Sequence, residues 1–326
     1  MSRWMLIAPM MITAWSASAF ELGLPVQCAI GTECFVQQFA DVQPGPDRQD
    51  PFCGKATYDG HDGTDIRVVS MKDIQRDVPV LAMADGTVLQ TRDGVEDRLV
   101  KTKQEADAIT RIGCGNAVFI AHEDDYQTRY CHMRKGSIAV RSGDKVKRGQ
   151  QIGLIGASGL AQFPHVEVAV KKGRAMLDPV TGQNLEGGCL TDATKAAPLF
   201  SKQDAGLLGR GEVQMLGVGL AGDRVEYARL AEDGPPPAAT TSSPLALGWV
   251  WVMNLRQGDQ VQVRLTGPDG AVIAEQTTEP MDAPKATYSA FAGKRGAPVA
   301  GDYQVHTAVI RDGSTVIEKT ERVAVQ

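Results

Sequence analysis

The middle of the chain, from about residue 51 to residue 198, consists of short apolar or alternating runs separated by Gly and Asp. Alternation with a period of two is typical of strands that have one buried face, and Gly and Asp are typical turn residues. The predicted strands include the runs D-I-R-V-V, V-P-V-L-A, G-T-V-L-Q, N-A-V-F-I-A-H, T-R-Y-C-H-M, Q-I-G-L-I-G and H-V-E-V-A-V. The stretch from Val95 to Ile112 is polar and rich in helix formers, which predicts a short helix inserted into an all-β unit.

A second series of runs begins near Ser201 and continues to the end of the sequence. The predicted strands are E-V-Q-M-L-G-V-G-L, V-E-Y-A-R-L, L-G-W-V-W-V-M, Q-V-Q-V-R-L, A-V-I-A-E-Q, Y-Q-V-H-T-A-V-I and T-V-I-E-K-T-E-R-V-A-V. Strands at this spacing predict an immunoglobulin-like β-sandwich over residues 201–326. Trp249 and Trp251 share one face of their strand, which we interpret as core, with a carbohydrate-binding platform as the alternative.

The first nineteen residues have the pattern of a secretory signal peptide. Arg3 is followed by an apolar run from Trp4 to Trp15 and then by an A-x-A cleavage site that ends at Ala19. A membrane anchor is the alternative interpretation, but the run is too short to span a bilayer, and no later stretch is apolar enough. We therefore expect a periplasmic or secreted protein with a loop-rich lead-in at residues 20–50, followed by a unit at residues 51–200.

All six cysteines lie after residue 19, and an even number in an exported chain predicts disulfide bonds. Cys28 and Cys34 bracket a five-residue loop and are the predicted first pair. The other four allow three connectivities, which the sequence does not rank: Cys53, Cys114, Cys131 and Cys189. Metal ligation by some of them is the alternative, although no C-x-x-C motif is present.

The composition favours an ordinary globular protein. A length of 326 residues suggests two domains, and a hydrophobic content of 43% is enough for two cores. The formal net charge of −5 predicts no broad basic surface, which excludes nucleic acid as an expected partner.

Candidate chemistry is concentrated in four histidines, His61, His122, His132 and His165. Asp65 lies four positions after His61 in a turn, where both side chains can reach one ion. Glu167 lies two positions after His165, so the two side chains share one face of a strand. Imidazole and carboxylate groups are zinc ligands, and a catalytic zinc site needs about three protein ligands and a water.

Six motifs occur in the order found in one enzyme family. They are H-D-G-T-D, A-D-G-T-V, G-N-A-V-F-I-A-H, Y-C-H-M, G-D-K-V-K-R-G-Q-Q-I-G-L-I-G and S-G-L-A-Q-F-P-H-V-E. Over roughly residues 51–180 the chain resembles the lysostaphin-type (LytM-like) zinc metalloendopeptidases. The resemblance implies a compact antiparallel β-sheet with a groove, one Zn²⁺ per chain, and cleavage of peptide bonds in bacterial peptidoglycan.

The resemblance also implies roles for individual residues. His61 and Asp65 match two zinc ligands, and His132 and His165 match two catalytic histidines. The family motif P-H-x-H ends in a third histidine ligand, but Glu167 occupies that position here. Glutamate is a competent oxygen ligand, although a second carboxylate would make the ion a weaker Lewis acid. One alternative is a shifted register that makes His165 the ligand, and another is loss of the metal.

These residues predict an exported zinc-dependent endopeptidase that hydrolyses peptide cross-links of peptidoglycan. The alternative is a catalytically degenerate family member that binds or regulates another cell-wall hydrolase, and Glu167 is the feature that favours it. We interpret His122 as structural or supporting and His306 as a surface strand residue. The C-terminal unit is expected to bind or position a ligand that its fold does not name.

Overall fold

The structure is a computed structural model that describes residues 20–326. This part of the chain contains seventeen strands and three short α-helices, besides five 3-10 turns. The predicted signal peptide at residues 1–19 lies outside the described residues. The first ten strands are β1 (Phe35–Gln38), β2 (Thr64–Arg67), β3 (Pro79–Leu81), β4 (Gly86–Arg92), β5 (Asn116–Ala121), β6 (Tyr126–Met133), β7 (Lys145–Val146), β8 (Gln151–Leu154), β9 (His165–Lys172) and β10 (Ala175–Leu177). The others are β11 (Gln214–Ala221), β12 (Leu245–Leu255), β13 (Gln260–Thr266), β14 (Val272–Thr277), β15 (Lys285–Arg295), β16 (Gly301–Arg311) and β17 (Ser314–Val325). The helices are α1 (Lys103–Ile109), α2 (Lys202–Leu208) and α3 (Tyr227–Asp233).

The N-terminal half is built on one antiparallel sheet with the strand order β1-β2-β9-β6-β5-β4-β7, and β10 also pairs with β9. Strands β3 and β8 form a separate pair. Side chains along β9 point alternately to the two faces of the sheet. Val166 and Val168 are buried in the core, whereas His165 and Glu167 point to the other face. The prediction of an all-β architecture is confirmed.

The segment at residues 20–50 contributes to this sheet through β1, which pairs antiparallel with β2. Three disulfide bonds connect the region. Cys28 bonds to Cys34 as predicted, and the pairs that the sequence left open are Cys53–Cys189 and Cys114–Cys131. The Cys53–Cys189 bond spans 136 residues and joins the loop between β1 and β2 to the chain that follows β10.

The predicted helical insertion is present but begins at Lys103, later than the polar stretch suggested. Thr102 caps it, because its side chain accepts a hydrogen bond from the backbone N–H of Glu105 while the Glu105 carboxylate accepts from the Thr102 N–H. Helix α1 has no buried residue. None of the helices in residues 20–326 is long and apolar enough to cross a membrane.

Two sheets form the C-terminal region, one with the order β11-β12-β15 and one with the order β14-β13-β16-β17. Both contribute to one buried cluster, for example through Val250 of β12, Val263 of β13 and Val305 of β16. The immunoglobulin-like topology stays a prediction. The strand predicted for V-E-Y-A-R-L is wrong, because Tyr227–Asp233 forms helix α3. Its Ala, Leu, Arg and Glu residues are good helix formers, and Leu230 is buried.

The two tryptophans of β12 lie in a core, as predicted. Trp249 and Trp251 are buried together with Phe35 of β1 and Leu230 of α3. Because Phe35 belongs to the large sheet, this cluster joins the large sheet to the three-stranded sheet that contains β12.

Asp178 provides a test of stability that is independent of the histidines. It is fully buried, its Oδ1 accepts hydrogen bonds from Thr181, and its Oδ2 has no partner among residues 20–326. Burial raises the pKa of Asp178 to about 6. The folded state therefore holds the proton more tightly than the unfolded chain, and stability present below about pH 4 is lost as the pH rises to about 6.

We expect Asp178→Asn to remove this loss, which amounts to about 3 kcal/mol for a pKa difference of about two units. The free energy of unfolding of both proteins, measured in urea between pH 4 and pH 8, gives the difference directly. A difference between variant and parent that stays constant over this range would contradict the assignment.

Candidate metal centre

Three neighbouring strands bring the predicted site residues together. Asp65 of β2 lies directly opposite Glu167 of β9, so the two carboxylates share one face of the sheet. His61 lies in the turn just before β2. On the other side of β9, Cys131 of β6 lies opposite Glu167, which places His132 at the same level.

His61, Asp65 and Glu167 each offer one ligand atom, and these three atoms all lie within 4.8 Å of one another. His61 Nε2 is 3.0 Å from Asp65 Oδ1 and 3.7 Å from Glu167 Oε2. Zinc bonds to nitrogen and oxygen of roughly 2.0–2.2 Å place two ligands of one tetrahedral ion about 3.5 Å apart. All three residues are buried. The donor set therefore fits a zinc ion, with Glu167 rather than His165 completing the group of three.

Three imidazole rings are oriented in the same way by the backbone. In each ring Nδ1 lies 2.8 Å from a carbonyl oxygen, so that Nδ1–H donates and Nε2 faces the centre. The pairs are His61 with Phe39, His132 with Ser158, and His165 with Phe163. Such hydrogen bonds fix the tautomer and the ring orientation that a metal ligand or a proton acceptor needs.

The two predicted catalytic histidines flank the carboxylates. His132 Nε2 lies 3.6 Å from Glu167 Oε2, and His165 Nε2 lies 3.7 Å from Asp65 Oδ1. Their ring centroids are 4.5 Å apart, so both can contact one small group above the carboxylates.

His132 has a left-handed backbone, with a φ of +60°, although it lies within β6. Non-glycine residues seldom adopt this conformation, and it persists where the surroundings enforce it. Here the Cys114–Cys131 disulfide adjoins His132, and the His132 N–H donates to the carbonyl of Cys114 at 2.8 Å. These contacts hold the backbone in the conformation that lets the imidazole reach Glu167.

Arg129 is a member of the site that the sequence pattern did not indicate. Its guanidinium donates to Glu167 Oε1 at 2.6 Å and forms a two-armed ion pair with Asp62. One oxygen of Glu167 is therefore held by a cation while the other faces His61 and His132. Burial opposes the charge of Arg129, but Asp62 and Glu167 outweigh it and raise its pKa.

The site also shifts the pKa of the groups within it. Burial would lower the pKa of His61, but Asp65 and Glu167 raise it well above its ordinary value. Burial would raise the pKa of Glu167, but the neighbouring His132, His61 and Arg129 lower it well below its ordinary value. Burial lowers the pKa of His165 to about 4. The centre thus favours ionised carboxylates beside an uncharged His165.

The remaining histidines lie elsewhere, and one further aromatic residue joins the site. Both ring nitrogens of His122 are bonded outside the centre, to the Asp85 carbonyl and the Thr128 hydroxyl, as a structural role requires. His306 lies on β16 beside Glu318. Tyr58, which no sequence motif indicates, stacks on His61 with ring centroids 4.4 Å apart.

Residues 59–179 match the family model described as Peptidase family M23. The predicted resemblance to this family is confirmed over this segment, which contains the predicted site residues: His61, Asp65, His132, His165 and Glu167.

Curated relatives match over part of their length. The peptidoglycan DD-endopeptidase ShyA of Vibrio cholerae is 35% identical over 106 residues, which cover 32% of this chain and 19% of that protein. An uncharacterized metalloprotease of Haemophilus influenzae is 30% identical over 136 residues, which cover 42% of this chain and 23% of that protein. The chain thus spans about a fifth of the length of the curated relatives it matches. A solved zinc-containing peptidase from Vibrio cholerae is 26% identical, with a TM-score of 0.28, and the match covers 44% of this chain and 39% of that one.

Proposed function

We propose that the chain is an exported zinc-dependent endopeptidase that hydrolyses peptide cross-links of bacterial peptidoglycan, in the periplasm or outside the cell. The observation that carries this proposal is the convergence of His61, Asp65 and Glu167 within 4.8 Å, with two further imidazoles beside them. Relatives described as peptidoglycan DD-endopeptidases support the choice of substrate.

In this proposal His61 Nε2, Asp65 Oδ1 and Glu167 Oε2 hold one zinc ion per chain. When bound, zinc polarises a scissile carbonyl and acidifies a water. His165 Nε2 can accept the proton of that water and later return it to the leaving amine, because its Nδ1–H is fixed by Phe163. His132 Nε2 can hold the water or, once protonated, donate to the developing oxyanion.

A cleavage assay tests the proposed activity. Purified protein with zinc is incubated with cross-linked peptidoglycan fragments, and the products are identified by mass spectrometry. The proposal expects free peptide ends at the cross-link, and it fails if both cross-linked fragments and test peptides stay intact with zinc supplied.

The contact between Arg129 and Glu167 favours a second candidate, a metal-free module that binds or regulates another cell-wall hydrolase. The guanidinium of Arg129 stabilises the Glu167 carboxylate without any metal, and Asp62 pairs with the same guanidinium. Activation of a cell-wall amidase in the absence of intrinsic cleavage would support this candidate.

Arg129→Met separates the two candidates further. We expect the substitution to tighten zinc binding about tenfold, because it removes a positive charge beside Glu167 and frees Oε1. Isothermal titration with zinc measures the change in Kd, and Arg174→Met, at an exposed position, is the control with the same change of charge. Weaker zinc binding by Arg129→Met would mean that the guanidinium positions Glu167 for the metal instead of opposing it.

A further inference from the structure

A cavity of about 850 Å³ lies where the large sheet meets the region around β12. Its walls include Arg67 of β2 and Phe163 on one side, and Trp251 and Asn254 of β12 on the other. Ligand pockets commonly enclose roughly 300–1,000 Å³, so the space is sufficient for several peptide residues.

The cavity is strongly basic although the chain carries a net charge of −5. Its lining contains six cationic side chains: Arg48, Lys55, Arg67, Arg210, Arg256 and Lys285. Asp50 is the acidic residue in this lining, and its two oxygens accept backbone N–H groups of Phe52, Gly54 and Ala56. Of the six cations, Lys285 alone forms an ion pair within residues 20–326, with Asp282. The remaining positive charges are available to an anion.

Arg67 is the most buried of these cations, with a relative exposure of 1%. Its guanidinium donates to Gln37 Oε1 and to the carbonyls of Val68 and Val69, all of which are neutral. It also lies 4.8 Å from the ring centroid of Phe163 and 5.0 Å from that of Trp251. A buried charge without a counterion is costly, and a bound carboxylate would offset that cost.

Two buried donors in the same wall have no acceptor. Trp251 Nε1 and Asn254 Nδ2 lack a hydrogen-bond partner in the described part of the chain, and both residues are over nine-tenths buried. Buried donors are normally paired, since an unpaired one costs about 1–3 kcal/mol. Donors without an acceptor beside cations without a counterion suit a ligand that is rich in acceptor oxygens and bears negative charge.

The cavity adjoins the metal centre on the same face of the sheet. Arg67 lies two positions after Asp65 on β2, and it is directly opposite His165 on β9. Phe163 is shared between the two sites, because its ring lines the cavity and lies 4.6 Å from the ring of His165. A chain bound at the metal centre can therefore continue past Phe163 into the cavity.

We propose that this cavity binds an acidic segment of the peptide substrate, whose carboxylates contact the basic lining while an acceptor oxygen bonds to Trp251 and Asn254. The inference rests on the proposed function for the choice of a peptide, and it gives the C-terminal region a role in substrate selection. The flat aromatic walls and the planar guanidinium groups suit carboxylates of a peptide.

Tryptophan fluorescence tests the proposal, because Trp249 and Trp251 are the two tryptophans after residue 19. The probes are the N-acetylated peptide Ala-Glu-Glu-Ala with a free carboxyl terminus and its neutral counterpart, the N-acetylated amide Ala-Gln-Gln-Ala. The protein is kept metal-free with a chelator, so binding does not depend on zinc. We expect the acidic peptide to change the fluorescence and to bind at least about tenfold more tightly than the neutral one.

Charge-reversal variants test whether the acidic peptide binds in the cavity. Arg210→Glu with Arg256→Glu should weaken the acidic peptide at least about tenfold. Both residues are exposed, so the core that contains Arg67 is left intact. The control, Arg295→Glu with Arg322→Glu, carries the same charge change at exposed positions away from the cavity and should bind like the parent.

Equal affinities for the two peptides, or equal losses in the two double variants, would overturn the proposal. Displacement of the peptide by inorganic phosphate at lower concentration than by acetate would also overturn it, since the ligand would then be a phosphate. Failure of the proposed function can be distinguished from failure of this proposal. If only the proposed function fails, zinc binding or cleavage is absent while peptide binding is retained.

Discussion

Glu167→Ala is expected to lose the bound zinc and to lower the rate of hydrolysis by about a hundredfold or more. The reason is geometric, because Glu167 Oε2 is the third donor of the group and no other carboxylate or imidazole in residues 20–326 completes it. Zinc per chain is measured by elemental analysis after dialysis, and cleavage is measured on cross-linked peptidoglycan fragments.

Two further variants test whether Glu167 acts as a metal ligand. Glu167→His should keep about one zinc per chain, because imidazole is an equivalent ligand. Glu123→Ala, which removes an exposed carboxylate outside the site, is the matched control. If the parent binds no zinc and Glu167→His does, the site is degenerate and the search moves to a partner protein. If Glu167→Ala keeps the zinc of the parent, Glu167 is not a ligand.

His132→Ala and His165→Ala are expected to reduce hydrolysis by roughly 10²–10⁴-fold while each variant keeps its zinc. Neither ring belongs to the group of three donors, yet both present Nε2 to the carboxylates that we propose as ligands. The paired measurement of zinc content and cleavage rate separates a loss of chemistry from a loss of metal.

His122→Ala is the control for this pair, since His122 is bonded at both nitrogens to groups outside the centre. It should hydrolyse fragments at close to the rate of the parent. Rates near that of the parent in His132→Ala or His165→Ala would remove that histidine from the mechanism. Loss of zinc from His165→Ala would instead revive the shifted register, in which His165 is a ligand.

Much of the fold could be predicted because strand alternation is a local property. The runs of β5, β6 and β9 were recognisable from their own residues, and their ends differ from the prediction by only a few positions. Strand β15 was missed, since its sequence K-A-T-Y-S-A-F-A-G-K-R has small residues where a strand signal needs large apolar ones. The run V-E-Y-A-R-L was misassigned because a short apolar run does not distinguish a strand from a helix.

The candidate site, like the fold, could be predicted only where the residues are neighbours in sequence. His61 with Asp65 and His165 with Glu167 are neighbours in sequence, so spacing alone placed each pair together. Sequence spacing does not indicate Arg129 or Tyr58, because their contacts depend on the register of β6 against β9 and on the path of the turn before β2. Disulfide pairing and the cavity beside Trp251 depend likewise on how distant strands are arranged.

Contacts made by residues outside the family match limit how short an expressed fragment of this chain can be. A fragment restricted to residues 59–179, the limits of the family match, would omit Phe39, whose carbonyl accepts the Nδ1–H of His61. It would also omit Cys53 and Cys189, which are bonded to each other across those limits. A fragment that keeps both the hydrogen bond to His61 and the disulfide must therefore extend beyond the family match on both sides, from before Phe39 to after Cys189.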